Sequence, residues 1–204
     1  MREIECYCGQ RVETDFPEAV DLDSVPAAAD EILEGTFMSI ECPHCGTLLK
    51  PELPVRVRSI SAGLDVFLVP ELDRNAFARG TLDYVPGDAA RVAIGYPELV
   101  EKLRISRAGL DDSAVEVVKY YLLSRALEGD EQRDVRVLFV GRESDGRLRF
   151  QIEGLKDREV ALSRVPEATY NKAKERLHEI AGEDPFREML QPPYVSVNRI
   201  YRAL

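Results

Sequence analysis

No apolar run in this 204-residue sequence approaches the roughly 18–20 residues that a bilayer-spanning helix requires, which argues against a membrane protein. The N-terminus, Met1 to Cys6, has neither the apolar stretch nor the cleavage site of a signal peptide, so the chain is expected in the cytoplasm. There is no Ser/His/Asp set, no phosphate-cradling glycine loop and no His-Glu-x-x-His helix. His178 has no His, Cys or Ser neighbour and reads as a surface residue. Gly141 to Gly146 is too short for a nucleotide loop and reads as a hairpin turn. Repeats and low-complexity tracts are also missing. Basic residues are scarce in the first quarter of the chain. Residues 1–50 hold three Arg or Lys (Arg2, Arg11 and Lys50) against eleven Asp or Glu, which places −8 of the net charge of −10 there. So acidic a segment repels phosphate backbones, and nucleic acid is not expected as a partner.

What is present is an ordinary globular composition, 45% hydrophobic and 31% charged, in a chain long enough to bury a core. The patterning predicts an α+β protein. Short strands are expected at residues 2–8, 36–41, 47–57, 64–69 and 91–96. Ser24 is a candidate N-cap for a helix over Ala27–Glu34, closed by Gly35. A short helix is expected around Asn75, and Pro97 opens another over Glu98–Ile105. Glu98, Glu101 and Lys102 are read there as a solvated face. The strongest helix spans Ser113–Leu127, capped by Asp111 or Asp112, with Val115, Val118 and Leu122 facing inward. Asp111 and Asp112 beside Glu116 invite an acid–base or metal reading, but carboxylates at a helix N-terminus are favourable without one.

Beyond the polar run 129–134 the texture changes. Val135–Val140 and Leu148–Ile152 flank a Ser144-Asp145-Gly146 turn, Glu159–Leu162 offers a third strand, and Glu167–Ala181 reads as one amphipathic helix. Two domains are therefore expected: residues 1–128, and an α+β appendage over 129–204 with a small antiparallel sheet. Tyr194 and Tyr201 are expected to dock the tail on the core or on a second copy of the chain, as in a homo-oligomer.

The chemistry is concentrated in four cysteines. In a reducing compartment, four cysteines indicate a metal or redox site rather than two structural disulfides. Cys42-Pro43-His44-Cys45-Gly46 is a knuckle in which two thiolates three positions apart point at one ion, with glycine closing the turn. Cys6-Tyr7-Cys8-Gly9 repeats the trailing glycine with one residue fewer. Convergence of the two pairs predicts one Zn2+ held by Cys6, Cys8, Cys42 and Cys45 in a zinc-ribbon-like module. His44 is expected to point outward. One alternative remains open. An open site of Cys8, Cys42 and Cys45 plus water would suit a zinc-dependent enzyme. Redox chemistry at the second pair would need a helix after the first cysteine, which Gly46 and Pro51 do not allow.

Three motifs in order carry a family resemblance. They are the N-terminal cysteine pair; Ile32-Leu33-Glu34-Gly35-Thr36-Phe37 running into Cys42-Pro43-His44-Cys45-Gly46; and Glu98 to Ile105, followed by Gly109-Leu110-Asp111-Asp112 and Glu116-Val117-Val118-Lys119. Over roughly residues 1–127 the chain resembles the CpXC-domain family. It departs at Cys6-Tyr7-Cys8, which lacks the proline and one residue of the usual first motif. The resemblance implies a zinc-binding domain and no reaction. A structural four-cysteine zinc site in an interaction or regulatory module, with a protein partner, is the function expected.

Overall fold

The computed structural model describes residues 2–128, 134–156 and 158–201. It is an α+β protein with several small sheets. Strands β1 (Arg2–Glu5) and β2 (Arg11–Thr14) form a hairpin, pairing Ile4 with Val12. Strand β3 (Ala19–Asp21) and helix α1 (Ala27–Glu34) follow. A second hairpin joins β4 (Ile40–Glu41) to β5 (Leu48–Leu49). Next come β6 (Val55–Ser59), β7 (Leu64–Val69), helix α2 (Arg74–Ala78) and β8 (Arg91–Ile94). These give a four-stranded sheet of order β3-β6-β7-β8, in which β6 and β7 are antiparallel and the outer pairs are parallel.

From Val66 to Val69 strand β7 is buried on both faces, and so reads there as an unbroken apolar run. Val66 and Leu68 join Val55, Val57 and Ile32 on one side. Phe67 and Val69 join Val92, Ile94 and Tyr194 on the other. Strand β8, expected to reach Tyr96, stops at Ile94. Gly95 turns with φ +81°, and a Cβ there would lie 2.7 Å from Glu71 Oε2, so only glycine fits the corner.

Helix α3 (Tyr96–Arg107) packs on this sheet through Leu99 and Leu103, and α4 (Asp112–Ala126) follows. Asp111 caps α4, accepting from the Ser113 and Ala114 amides at 2.9 and 3.2 Å. Strands β9 (Arg136–Arg142), β10 (Leu148–Lys156) and β11 (Glu159–Val165) form an antiparallel sheet of order β11-β10-β9. The largest apolar cluster draws Val115, Val118 and Leu123 of α4 together with Phe139, Phe150 and Ile152 of that sheet, so it takes residues from both sides of the polar run 129–134. Of that run, residues 129–133 lie outside those described. Among the described residues, no helix is long and apolar enough to cross a membrane.

Several expectations are corrected. Ser24 does not cap α1. Its hydroxyl donates to Asp21 instead, at 2.9 Å, and the helix starts after Pro26. The strand expected from Thr36 is confined to Ile40–Glu41, because Met38 takes φ +54° in a preceding turn. The helix expected over Glu167–Ala181 divides into α5 (Glu167–Glu175) and α6 (Leu177–Ile180), and α7 (Phe186–Met189) and α8 (Asn198–Tyr201) follow. Tyr194 docks on the core, donating to Glu98 at 2.9 Å, while Tyr201 stays partly exposed.

The turn between β6 and β7 hangs on one carboxylate. Asp23 accepts from the Ser59 and Ser61 hydroxyls at 2.6 and 2.7 Å and from the Ile60 and Ser61 amides at 2.8 and 3.0 Å. The Ser59 hydroxyl first, then Ser61 and the amides, lower its pKa from 3.8 to about 2. The charged form is thus favoured by folding, and its contribution is present above pH 3.8 and lost as the pH falls through about 2. Asp23→Ala is expected to lower the urea midpoint at pH 7. The gap to the unaltered chain should close between about pH 4 and pH 2, as followed by circular dichroism.

Candidate metal centre

The two hairpins present matching turns to one another. In the first, the Cys6 amide donates to Gln10 C=O and the Gly9 amide to Cys6 C=O, both at 2.8 Å. In the second, the Cys42 amide donates to Thr47 C=O at 2.8 Å and the Gly46 amide to Cys42 C=O at 2.9 Å. Each closure in the first turn is one residue shorter than its counterpart, which absorbs the missing residue of Cys6-Tyr7-Cys8. Gly9 and Gly46, at φ +79° and +72°, supply the left-handed step that ends each knuckle.

The turns bring four free thiols together. The sulfurs of Cys6, Cys8, Cys42 and Cys45 all lie within 4.8 Å of one another. Cys6 and Cys45 are 3.6 Å apart, and Cys8 and Cys42 are 3.9 Å apart. Four sulfurs set tetrahedrally about 2.3 Å from one ion would be about 3.8 Å apart, so the cluster already has close to the spacing of a tetrathiolate site. Cys6 and Cys42 are buried against Ile4, Val12 and Leu49, whereas Cys8 and Cys45 face solvent. His44 is exposed and stands outside the cluster.

Their electrostatics favour a cation. The Cys8 amide lowers the Cys6 pKa, but burial and the thiols of Cys8, Cys42 and Cys45 outweigh it and push Cys6 up to about 12. The Thr47 hydroxyl, 3.2 Å from Cys45 Sγ, and then the Thr47 amide bring Cys45 down to about 6. Packed thiols resist ionising together, and a bound divalent ion removes that repulsion by replacing their protons. The cluster could hold a metal ion. Among the described residues, no other group of three or more His, Cys, Asp or Glu side chains converges in this way.

The acidic residues of α3 and α4 have a different environment from the one expected. Glu98, Glu101 and Lys102 are not a solvated face: they are 4%, 2% and 4% exposed. Glu101 accepts from Lys119 Nζ at 2.7 Å and from the Phe139 amide at 2.6 Å. Glu116 accepts from Lys119 at 3.0 Å and from the Val197 amide at 2.8 Å. Lys102 donates to Asp112 at 3.1 Å and to Val195 C=O at 2.8 Å, and Asp112 is also clamped by Arg91. Three carboxyl groups and three cationic side chains thus form one cluster, in which burial raises the Glu101 pKa against the pull of Lys119, while Asp112 is held in its charged state despite burial by Lys102 and Arg91. A sequence signal for this lay in Val115-Glu116-Val117-Val118-Lys119, where charges interrupt a helix that is otherwise apolar on neighbouring faces. His178 is on the surface, as expected, with its side chain 79% exposed.

The sequence is similar to that of known proteins. A curated relative from Treponema pallidum (strain Nichols), described as an uncharacterized protein, is 26% identical over 192 residues, covering 85% of this chain and 87% of its own length. No solved structure matches the chain. The family model described as "CpXC protein" matches residues 4–119, which takes in both cysteine turns, α3 and the first half of α4 up to Lys119. With more than half of its length matched, the chain belongs to the CpXC protein family.

Proposed function

We propose that Cys6, Cys8, Cys42 and Cys45 hold one Zn2+ in a closed structural site, and that the module so formed is an interaction or regulatory element with a protein partner. The observation that carries the closed-site reading is the position of Cys6. It is 2% exposed, and its sulfur lies 3.6 Å from that of Cys45. A fourth sulfur there fills the position that an open catalytic zinc would reserve for water. Thiolate ligands suit a reducing compartment such as the cytoplasm. The interaction reading is supported by the way the fold commits Glu98, Glu101, Lys102, Asp112, Glu116 and Lys119 of α3 and α4 to internal pairs, and by Tyr7, 95% exposed at the tip of the first turn.

Elemental analysis of natively purified protein should find one zinc per chain. Substitution with Co2+ should give the absorption of four sulfur ligands, and Cys6→Ser should convert it to a three-sulfur spectrum. A native three-sulfur spectrum, insensitive to Cys6→Ser, would instead support the open enzyme site of Cys8, Cys42 and Cys45.

A further inference from the structure

From Val12 to Leu49 the chain has no lysine or arginine and nine aspartates and glutamates. Part of this stretch lines a groove of about 590 Å³ between β3 and α1. Val20, Ala28, Phe37 and Met38 give it a buried apolar lining, and Asp21 and Glu31 are its charged residues. No basic side chain lines it, so its field is negative. The buried Ser39 hydroxyl oxygen, also in the lining, has no hydrogen-bond partner among the described residues.

Strand β3 is the outer strand of its sheet. The Arg56 amide donates to Glu18 C=O at 2.9 Å, and the Leu22 amide donates to Arg58 C=O at 2.8 Å. This parallel register turns the N–H and C=O of Val20 towards β6 and those of Ala19 and Asp21 away from it. The Asp21 carbonyl is taken by the Ser24 and Val25 amides. Among the described residues, the Ala19 N–H and C=O and the Asp21 N–H have no backbone partner and are left as a short sheet edge beside the groove, with both residues exposed.

We propose that this edge and groove receive an extended segment of a partner protein in which basic and apolar side chains alternate, added as a strand alongside β3. This gives chemical content to the interaction reading above and rests on it. Backbone groups of the segment pair with Ala19 and Asp21, its apolar side chains enter the groove, and its cations meet Asp21 and Glu31. A second copy of the chain is disfavoured as the occupant because it carries the same acidic stretch on a net charge of −10.

The test uses the full chain with its metal content measured, and a fluorescent Lys-Val-Lys-Val-Lys-Val peptide at low salt. The peptide should bind, weaken as salt is raised, and give way to an unlabelled copy, whereas a Glu-Val-Glu-Val-Glu-Val peptide should not bind. Ala19→Pro removes an outward N–H without touching the bonds to β6, and should weaken binding about tenfold or more. Glu31→Lys, which leaves the strand intact, should do the same by reversing a charge. Equal binding by the unaltered chain and both variants, or full displacement by spermidine alone, would overturn the proposal. So would absence of binding to protein carrying a full complement of zinc, and that outcome leaves the metal reading standing. Protein that lacks zinc yet binds the peptide would sink the metal reading and keep the groove.

Discussion

Lys119→Ala is expected to destabilise the chain by about 3–5 kcal/mol, the cost of breaking a buried ion pair from one side. Lys119 is fully buried, and its ammonium lies between Glu101 and Glu116 at 2.7 and 3.0 Å. Burial alone would lower its pKa, but the two carboxylates more than offset this and hold it above its ordinary 10.5. Its stabilising contribution is therefore complete below pH 10.5 and is lost only as the pH rises through the raised value. Removing the ammonium leaves two carboxylates in a site 1–2% exposed, still bound to the Val197 and Phe139 amides, with Lys102 3.6 Å from Glu116 as the remaining cation and Glu101 stripped of its own. Lys119→Met, which keeps the volume and deletes the charge, should cost nearly as much. Lys119→Met with Glu101→Gln should recover part of the loss, because the double change removes charge from both sides. Urea denaturation of the set measures this, and a loss below about 1 kcal/mol for both single variants would show that the cluster is not stabilised as described.

Cys42→Ser is expected to reduce bound zinc from one per chain to near zero and to melt the two cysteine hairpins while leaving the rest of the fold. Structural zinc contributes about 10–16 kcal/mol to small metal domains at neutral pH. Here it would act on strands of two and four residues, which are too short to stand without further support. Their own apolar cluster has only Ile4, Val12 and Leu49 besides Cys6 and Cys42. Among the described residues, the half-buried Phe16 and Leu53 are what packs against both it and the core of the four-stranded sheet. Hydrogen exchange should therefore show protection lost over residues 2–14 and 40–49 and kept over 55–69. A strong chelator acting on the unaltered chain should reproduce the pattern. Uniform loss of protection would mean that the module and the sheet unfold as one unit.

The cysteine cluster was legible because its signal is local. Each pair is adjacent in the chain, and a glycine after each second cysteine marks the turn that aims it. Helix α4 was legible for the same reason: Asp111 sits at the start of its own apolar pattern. The fate of Glu101 and Lys102 was not. Their partners lie 18 residues away at Lys119, 38 away at Phe139 and 93 away at Val195, and one helix read alone cannot distinguish a solvated charge from one buried by a later strand. Ser24 has the composition of a helix cap, but Asp21 competes for its hydroxyl and Pro26 sets where α1 begins. The parallel pairing of β3 with β6 joins segments 37 residues apart, and three residues are too few for any periodicity to announce them.

The buried ion cluster also bears on the order in which the molecule is assembled. Lys102 and Glu116 belong to helices made midway through synthesis, yet the carbonyl and amide that complete their shells belong to Val195 and Val197, 93 and 81 residues later. Until those residues leave the ribosome, two charges at the centre of the fold have no complete alternative to water. The helices can form early, but the interface between them cannot dry until the tail arrives. Closure of the core is thus timed by the tail, and the interface between α3 and α4 is completed late in synthesis.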